Sequence, residues 1–167
     1  MATAKLLIGD SDRHLAIEQM TEHDLLAVVE IEEESGLSPW GWDAYHKELQ
    51  SPEEVIMLVA RADSGGGGAV AGFIVSRLIG PELHVYNVAV RPELRRRGLA
   101  ARLLRAVLEW GQRKGASLAF LEVREGNSAA QELYRGCGFA VAGRRRQYYA
   151  APVEDALLMS VSLKSKP

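Results

Sequence analysis

The stretch that most limits the fold is Val88 to Ala101 (VAVRPELRRRGLAA), where one periodicity gives way to another. An apolar run from Leu83 to Val90 reads as a strand. It ends at Arg91-Pro92, because proline cannot donate to a sheet ladder and pushes its predecessor towards extended backbone. Beyond it, Leu99, Leu103, Leu104, Val107 and Leu108 fall on one face of a helix, and Gly115 stands where a left-handed residue would end it. Leu118 to Val123 then returns to strand character. Strand, glycine-containing turn, helix and strand make a right-handed crossover unit. Such a unit places its turn at the carboxyl end of a parallel strand, so the chain must be α/β.

The remaining segments arrange themselves around this unit. Residues 1–12 lack periodicity and read as a flexible tail, and residues 13–164 read as one domain. Leu15 to Met20 is a short first strand. Thr21, with acids in the following turn, starts a helix that Leu25, Val28, Val29 and Glu32 carry to about Glu34. Ser35 to Trp42 (SGLSPWGW) is a loop that must still bury something large, and a second helix runs from about Asp43 to Leu49. Val55 to Arg61 and Ala69 to Ile79 are strands joined by a hairpin loop over Ser64 to Gly68. Asn127 or Ser128 caps a short helix through Arg135, with Gly138 in its C-terminal turn. Val141 to Gln147 and Ala156 to Leu163 close the sheet as an antiparallel pair, joined by a loop from Tyr148 to Asp155. The expected whole is a mixed, mainly antiparallel sheet flanked by helices, with the parallel β-α-β unit at its centre.

A chain of 167 residues can enclose one full core, and it holds no run of the roughly 20 apolar residues that a membrane span needs. No apolar leader follows Met1, and Cys137 is the only cysteine, which excludes an intrachain disulfide and suits the cytoplasm. A net charge of −2 excludes a general attraction to nucleic acid. The triplets Arg95 to Arg97 and Arg144 to Arg146 nevertheless gather positive charge. The four histidines are scattered without metal-ligand spacing, so no metal is expected.

The first arginine triplet sits in the turn of the crossover unit. Unpaired amides at a helix N-terminus point outward, the helix dipole adds partial positive charge, and Gly98 lets a pyrophosphate approach the backbone. An ordinary turn with solvated arginines would carry the same residues, since short glycine motifs recur by chance.

Further blocks decide between these readings. RRRGLA resembles the Q/R-x-x-G-x-G/A signature of the GNAT acetyltransferase family, with Arg95, Gly98 and Ala100 at its defining positions. Leu121 to Phe139 (LEVREGNSAAQELYRGCGF) is similar to that family's later block. NVAV at Asn87 to Val90, Pro39-Trp40, and QYY with EDALLM between Gln147 and Met159 resemble, within it, the bacterial ribosomal-protein-alanine acetyltransferases. The resemblance implies acetyl-CoA as cosubstrate and a protein N-terminus as acceptor, that of ribosomal protein S18. It implies that Val88, Ala89 and Val90 offer backbone groups to the pantetheine arm. Arg96, Arg97, Gly98, Leu99, Ala100 and Ala101, with Arg95, would hold the pyrophosphate, and Asn127 would hydrogen-bond the cofactor. Glu122 would be the general base, Tyr134 the general acid, and Trp40, Tyr148 and Tyr149 an aromatic wall for the acceptor.

Each residue also has a plainer reading. Glu122 could be a solvated carboxylate, Asn127 only a helix cap, Tyr134 core filler, and the tyrosine pair a packed loop. Cys137, between two glycines and with no histidine near it in sequence, is expected to pack. Arg144 to Arg146 could face RNA or an acidic protein, or end a strand in solvent. Two other functions remain open on sequence alone: a small-amine acetyltransferase of the same fold, and a non-catalytic CoA-binding or ribosome-associated module.

Overall fold

The computed structural model describes residues 15–36, 39–62 and 68–164. The expected flexible tail over residues 1–12 lies outside the described residues, as does all of the expected hairpin loop except Gly68. The strands are β1 (Leu15–Gln19), β2 (Val55–Ala62), β3 (Val70–Ile79), β4 (Glu82–Val90), β5 (Leu118–Arg124), β6 (Ala140–Ala150) and β7 (Val153–Ser162). The helices are α1 (Leu25–Glu34), α2 (Gly41–Glu48), α3 (Leu99–Arg113) and α4 (Ser128–Gly136). One sheet takes all seven strands in the order β1-β2-β3-β4-β5-β7-β6. Only β4 and β5 pair in parallel, as the crossover through α3 requires.

Helices cover the two faces of this sheet unequally. The apolar stripe of α3, Leu99, Leu103, Leu104 and Val107, packs on Ile74, Leu83, Val85 and Leu121. Each side chain buried there stabilises the fold by roughly 1.5–3 kcal/mol. Gly111 lets α3 lie close, because a Cβ there would stand 2.8 Å from the Leu83 side chain. On the opposite face α1 and α2 bury Leu25, Val28, Ile31 and Tyr45 against Val59, Phe73, Val75 and Ala89. Gly115, at φ +92°, closes the last turn of α3 in the left-handed conformation its sequence position implied.

Three local expectations need correction. The first helix opens with a tight single turn, Glu22–Asp24, before α1, because the Asp24 carboxylate folds back on the Thr21 amide at 2.9 Å. The second helix starts at Gly41, two residues earlier than expected, since the buried Glu32 carboxylate holds the Trp40 and Gly41 amides at 2.7 and 3.2 Å. The loop expected over Tyr148 to Asp155 is strand almost throughout, and only Ala151 and Pro152 separate β6 from β7. An irregularity breaks the alternation of β6 between Arg145 and Tyr149, where Gln147 takes φ +49° and donates its amide to Asp155 at 2.9 Å. Local pattern alone reads such a break as the end of a strand.

A second irregularity positions the site. Val75 pairs with Asn87 but Ser76 pairs with Val85, so Tyr86 is an extra residue that bends β4. Pairing with β5 stops at Val85↔Leu121, whereas β4 continues beside β3 to Val90 and β5 continues beside β7 to Arg124. The two parallel strands diverge, and a cleft opens between their carboxyl ends.

Candidate active site

The cleft opens into a cavity of about 920 Å³. Val88, Glu122, Asn127, Tyr134, Trp40, Tyr148 and Tyr149, drawn from five separate segments of the chain, all line it. Ala89 and Val90 lie on the same stretch of β4 but turn their side chains into the two cores, so only their backbone is available to the cleft. Between Asn87 and Val90 that backbone is paired with β3 on one side and lacks a β5 partner on the other.

At the outer end of the cleft the turn before α3 is shaped by Arg95. Its side chain donates to the Val90 carbonyl at 3.0 Å and to the Ser35 hydroxyl at 3.3 Å, which ties the turn to β4 and to the end of α1. Arg96 and Gly98 both take left-handed backbone, with φ +63° and +75°, and Arg96 and Arg97 extend into solvent. The first ladder bond of α3 runs from the Arg102 amide to the Gly98 carbonyl, so the amides of Leu99, Ala100 and Ala101 precede the ladder. No side chain caps this end and no acid stands in its first turn. An anion is the natural partner for such an end, and the residues present therefore fit a pyrophosphate.

The inner end of the cleft carries ionisable groups. In β5, Leu121 and Val123 face the α3 core and Glu122 faces the other way, into the cavity. Arg145 of β6 reaches its carboxylate with Nε at 2.9 Å from Oε1, and the Tyr148 hydroxyl donates to it as well. That hydrogen bond, followed by burial, raises the Tyr148 pKa. Tyr149 lies with its ring 4.1 Å from the Arg124 guanidinium. Burial first, and the charge of Glu122 second, push its pKa up to about 12. Tyr134, on α4, is buried edge-on against Phe139, and its hydroxyl has no hydrogen-bond partner among the described residues. Burial holds its pKa well above the ordinary tyrosine range, so the group remains a proton donor. Asn127 caps α4, its Oδ1 accepting from the Ala130 amide at 3.1 Å. The cap uses the oxygen and leaves the amide nitrogen free to donate elsewhere.

Sequence reasoning gives no role in the site to two sets of supporting residues. The Tyr45 hydroxyl donates to buried Glu32 at 2.7 Å and accepts from Asn87 at 2.9 Å, a chain that fixes Trp40 beside the cavity. Trp40 stacks on Tyr45 with ring centres 5.3 Å apart and packs at a tilt against Tyr86 at 5.4 Å. An acid on the apolar face of a helix was a usable signal for Glu32. The second set is the arginine triplet of β6. Arg144 pairs with Glu125 and Asp155, and Arg145 pairs with Glu122, so two of its three members are engaged within the fold. Cys137 is half-buried, and burial raises its thiol pKa, which opposes nucleophilic use. Among the described residues no cluster of His, Cys, Asp or Glu could hold a metal ion, and no helix is long and apolar enough to cross a membrane.

Comparison with known proteins agrees with this geometry. Residues 25–139 match the family described as acetyltransferase (GNAT) family. The chain is 34% identical over 151 residues to the N-alpha-acetyltransferase RimI of Mycobacterium tuberculosis, covering 87% of this chain and 90% of that protein. It is 32% identical over 142 residues to the ribosomal protein bS18-alanine N-acetyltransferase of Salmonella typhimurium, covering 84% and 92%. The fold superposes on the crystal structure of the ribosomal-protein-S18-alanine N-acetyltransferase from Escherichia coli with a TM-score of 0.80 and 27% identity, over 92% and 96% of the two chains.

Proposed function

The chain belongs to the acetyltransferase (GNAT) family and is an N-acetyltransferase; on that premise we propose that it acetylates the α-amino group of a protein beginning with alanine, ribosomal protein S18, in the cytoplasm. The observation that carries this reading is the convergence on one cavity of the diverging strands, Glu122, Tyr134 and an aromatic wall. Charged groups around that cavity already engage partners within the fold. Glu122 meets Arg145 and Arg124 meets Glu154, while Glu82 lies at hydrogen-bond distance, 2.9 Å, from the His84 ring. A polyamine or aminoglycoside site would instead need several unpaired acids, whereas Trp40, Tyr86, Tyr148 and Tyr149 suit the apolar side chain and backbone that follow a single α-amino group.

An α-amino group is an easy nucleophile for such a site. Its pKa of about 7.7–8.0 lies below lysine's roughly 10.4, which makes deprotonation easier by about 3 kcal/mol. Acetyl-CoA supplies the thioester, its pyrophosphate on the amides of Leu99 to Ala101 and its pantetheine arm along Val88 to Val90. Asn127 donates its side-chain amide to the same cosubstrate. Glu122 takes the proton from the amine, directly or through one water, as the amine attacks the carbonyl in a ternary complex. Tyr134, kept protonated by burial, donates to the departing sulfur.

The test is a panel of peptides differing at residue one, incubated with the purified chain and acetyl-CoA, with lysine and polyamines alongside. Acetylation of the alanine-first peptide is the expected outcome. Comparable turnover of small amines, with every peptide inert, would replace this reading by a small-amine acetyltransferase.

A further inference from the structure

Three consecutive arginines on an exposed edge strand would ordinarily serve solubility and discourage edge-to-edge pairing. Arg145 departs from that role. It stands on β6 opposite Ala156 of β7, and Ala156 stands opposite Arg124 of β5. Glu122 is two residues along β5 from Arg124 and belongs to the same face of the sheet. The arginine therefore lies two strands, roughly 10 Å, from the carboxylate it meets. Ala156, between them, presents only a methyl group, so the guanidinium can cross the sheet surface to Glu122 Oε1 at 2.9 Å.

The surroundings hold Arg145 in this position. Next to it Arg144 is fastened to Glu125 and Asp155. The same Asp155 receives the Gln147 amide at the left-handed residue of the β6 irregularity. That irregularity brings Tyr148 round to the same carboxylate, with the Arg145 guanidinium 5.8 Å from its ring centre. Glu122 thus meets an ion-pair partner, Arg145, and a tyrosine, Tyr148, from a single strand. Arg145 remains 57% exposed, so the ion pair contributes little to folding stability. An arrangement this specific, with so little bearing on stability, belongs to the chemistry.

We propose that Arg145 is a positioning residue that binds Glu122 Oε1 and fixes the carboxylate so that its other oxygen faces the acceptor amine. The proposal rests on the reading of Glu122 as the base. It gives the second arginine triplet a role inside the reaction, distinct from nucleic-acid or acidic-protein contact. Without the guanidinium the carboxylate would swing among rotamers, and a displacement on the order of 1 Å can cost about 10²-fold in rate.

Five chains test it: wild type, Arg145→Gln, Arg145→Lys, and Glu122→Gln with and without Arg145→Gln. Expected are a fall in kcat of about 10- to 100-fold in Arg145→Gln, partial recovery in Arg145→Lys, and unchanged Tm and KM for acetyl-CoA. In the Glu122→Gln background the second substitution should cost nothing further, because the group it positions is gone. Independent, multiplying losses in the double variant would overturn the positioning role while leaving the base role intact. So would wild-type kcat in Arg145→Gln beside an impaired Glu122→Gln. Wild-type kcat in Glu122→Gln would overturn both.

Discussion

Along β4 the cleft is walled by main chain with a packed helical layer behind each face, whereas along β5 and β6 it is walled by side chains that hold one another through charge and ring contacts. The β4 wall is shaped by what cannot be seen from the cavity: the extra residue at Tyr86, the Asn87–Tyr45–Glu32 chain, and Arg95 on the Val90 carbonyl. The other wall stands on β6, an edge strand exposed along nearly its whole length. On the proposed reading, the contrast teaches that binding groups and fold share residues on the β4 side, while chemistry and fold are separable on the other. Substitutions on the two sides should divide accordingly.

The sharpest division is expected at Glu122. Glu122→Gln should lower kcat by about 10²- to 10⁴-fold, with partial recovery as rising pH supplies neutral amine, and leave Tm in place. A parallel fall in Tm would dissolve the contrast between the walls. Tyr134→Phe comes next. Its hydroxyl satisfies no partner among the described residues, so the change should reduce kcat roughly 10- to 100-fold with both KM values and the urea midpoint preserved. Across the cleft, Tyr45→Phe should do the reverse. It strips buried Glu32 and Asn87 of a partner, costing about 1–3 kcal/mol of stability, and it raises KM for the peptide by loosening Trp40 while kcat stays near normal.

Gly98→Val should show the coupling of fold and binding in a milder form. A side chain there meets open space, but φ +75° is strained for any residue with a Cβ, by about 1–2 kcal/mol. Relaxation of the turn should weaken acetyl-CoA binding about 5- to 30-fold in calorimetric titration, more than it lowers Tm. The smallest effect concerns Tyr149. Its pKa is raised in the folded state to about 12 from an ordinary value of about 10, so its contribution to stability is complete below pH 10 and lost as pH rises towards 12. Urea midpoints measured across that window should decline less steeply in Tyr149→Phe.

Much of this could be read from the chain before folding. The crossover unit, Gly98 before α3 and Gly115 after it, the Asn127 cap, and the placement of Glu122 and Tyr134 all follow from short-range patterns. The sequence singles out Tyr148 and Tyr149 as candidates but reads them as loop. The reason is the left-handed Gln147, whose conformation depends on Asp155 across the hairpin and on no neighbour in sequence. No local pattern links Arg145 to Glu122, because 22 positions and an intervening strand separate them.

By itself, the sequence determined the order of strands and helices, the glycine turn before α3 and the family, since each is written in residues within a helical turn or a strand length of one another. Only the tertiary structure decided where β4 parts from β5, that β7 inserts between β5 and β6, and that Arg145, Tyr148 and Glu122 meet. Those outcomes depend on register between distant strands, and a single extra residue at Tyr86, or the break at Gln147, redirects the side chains that follow it.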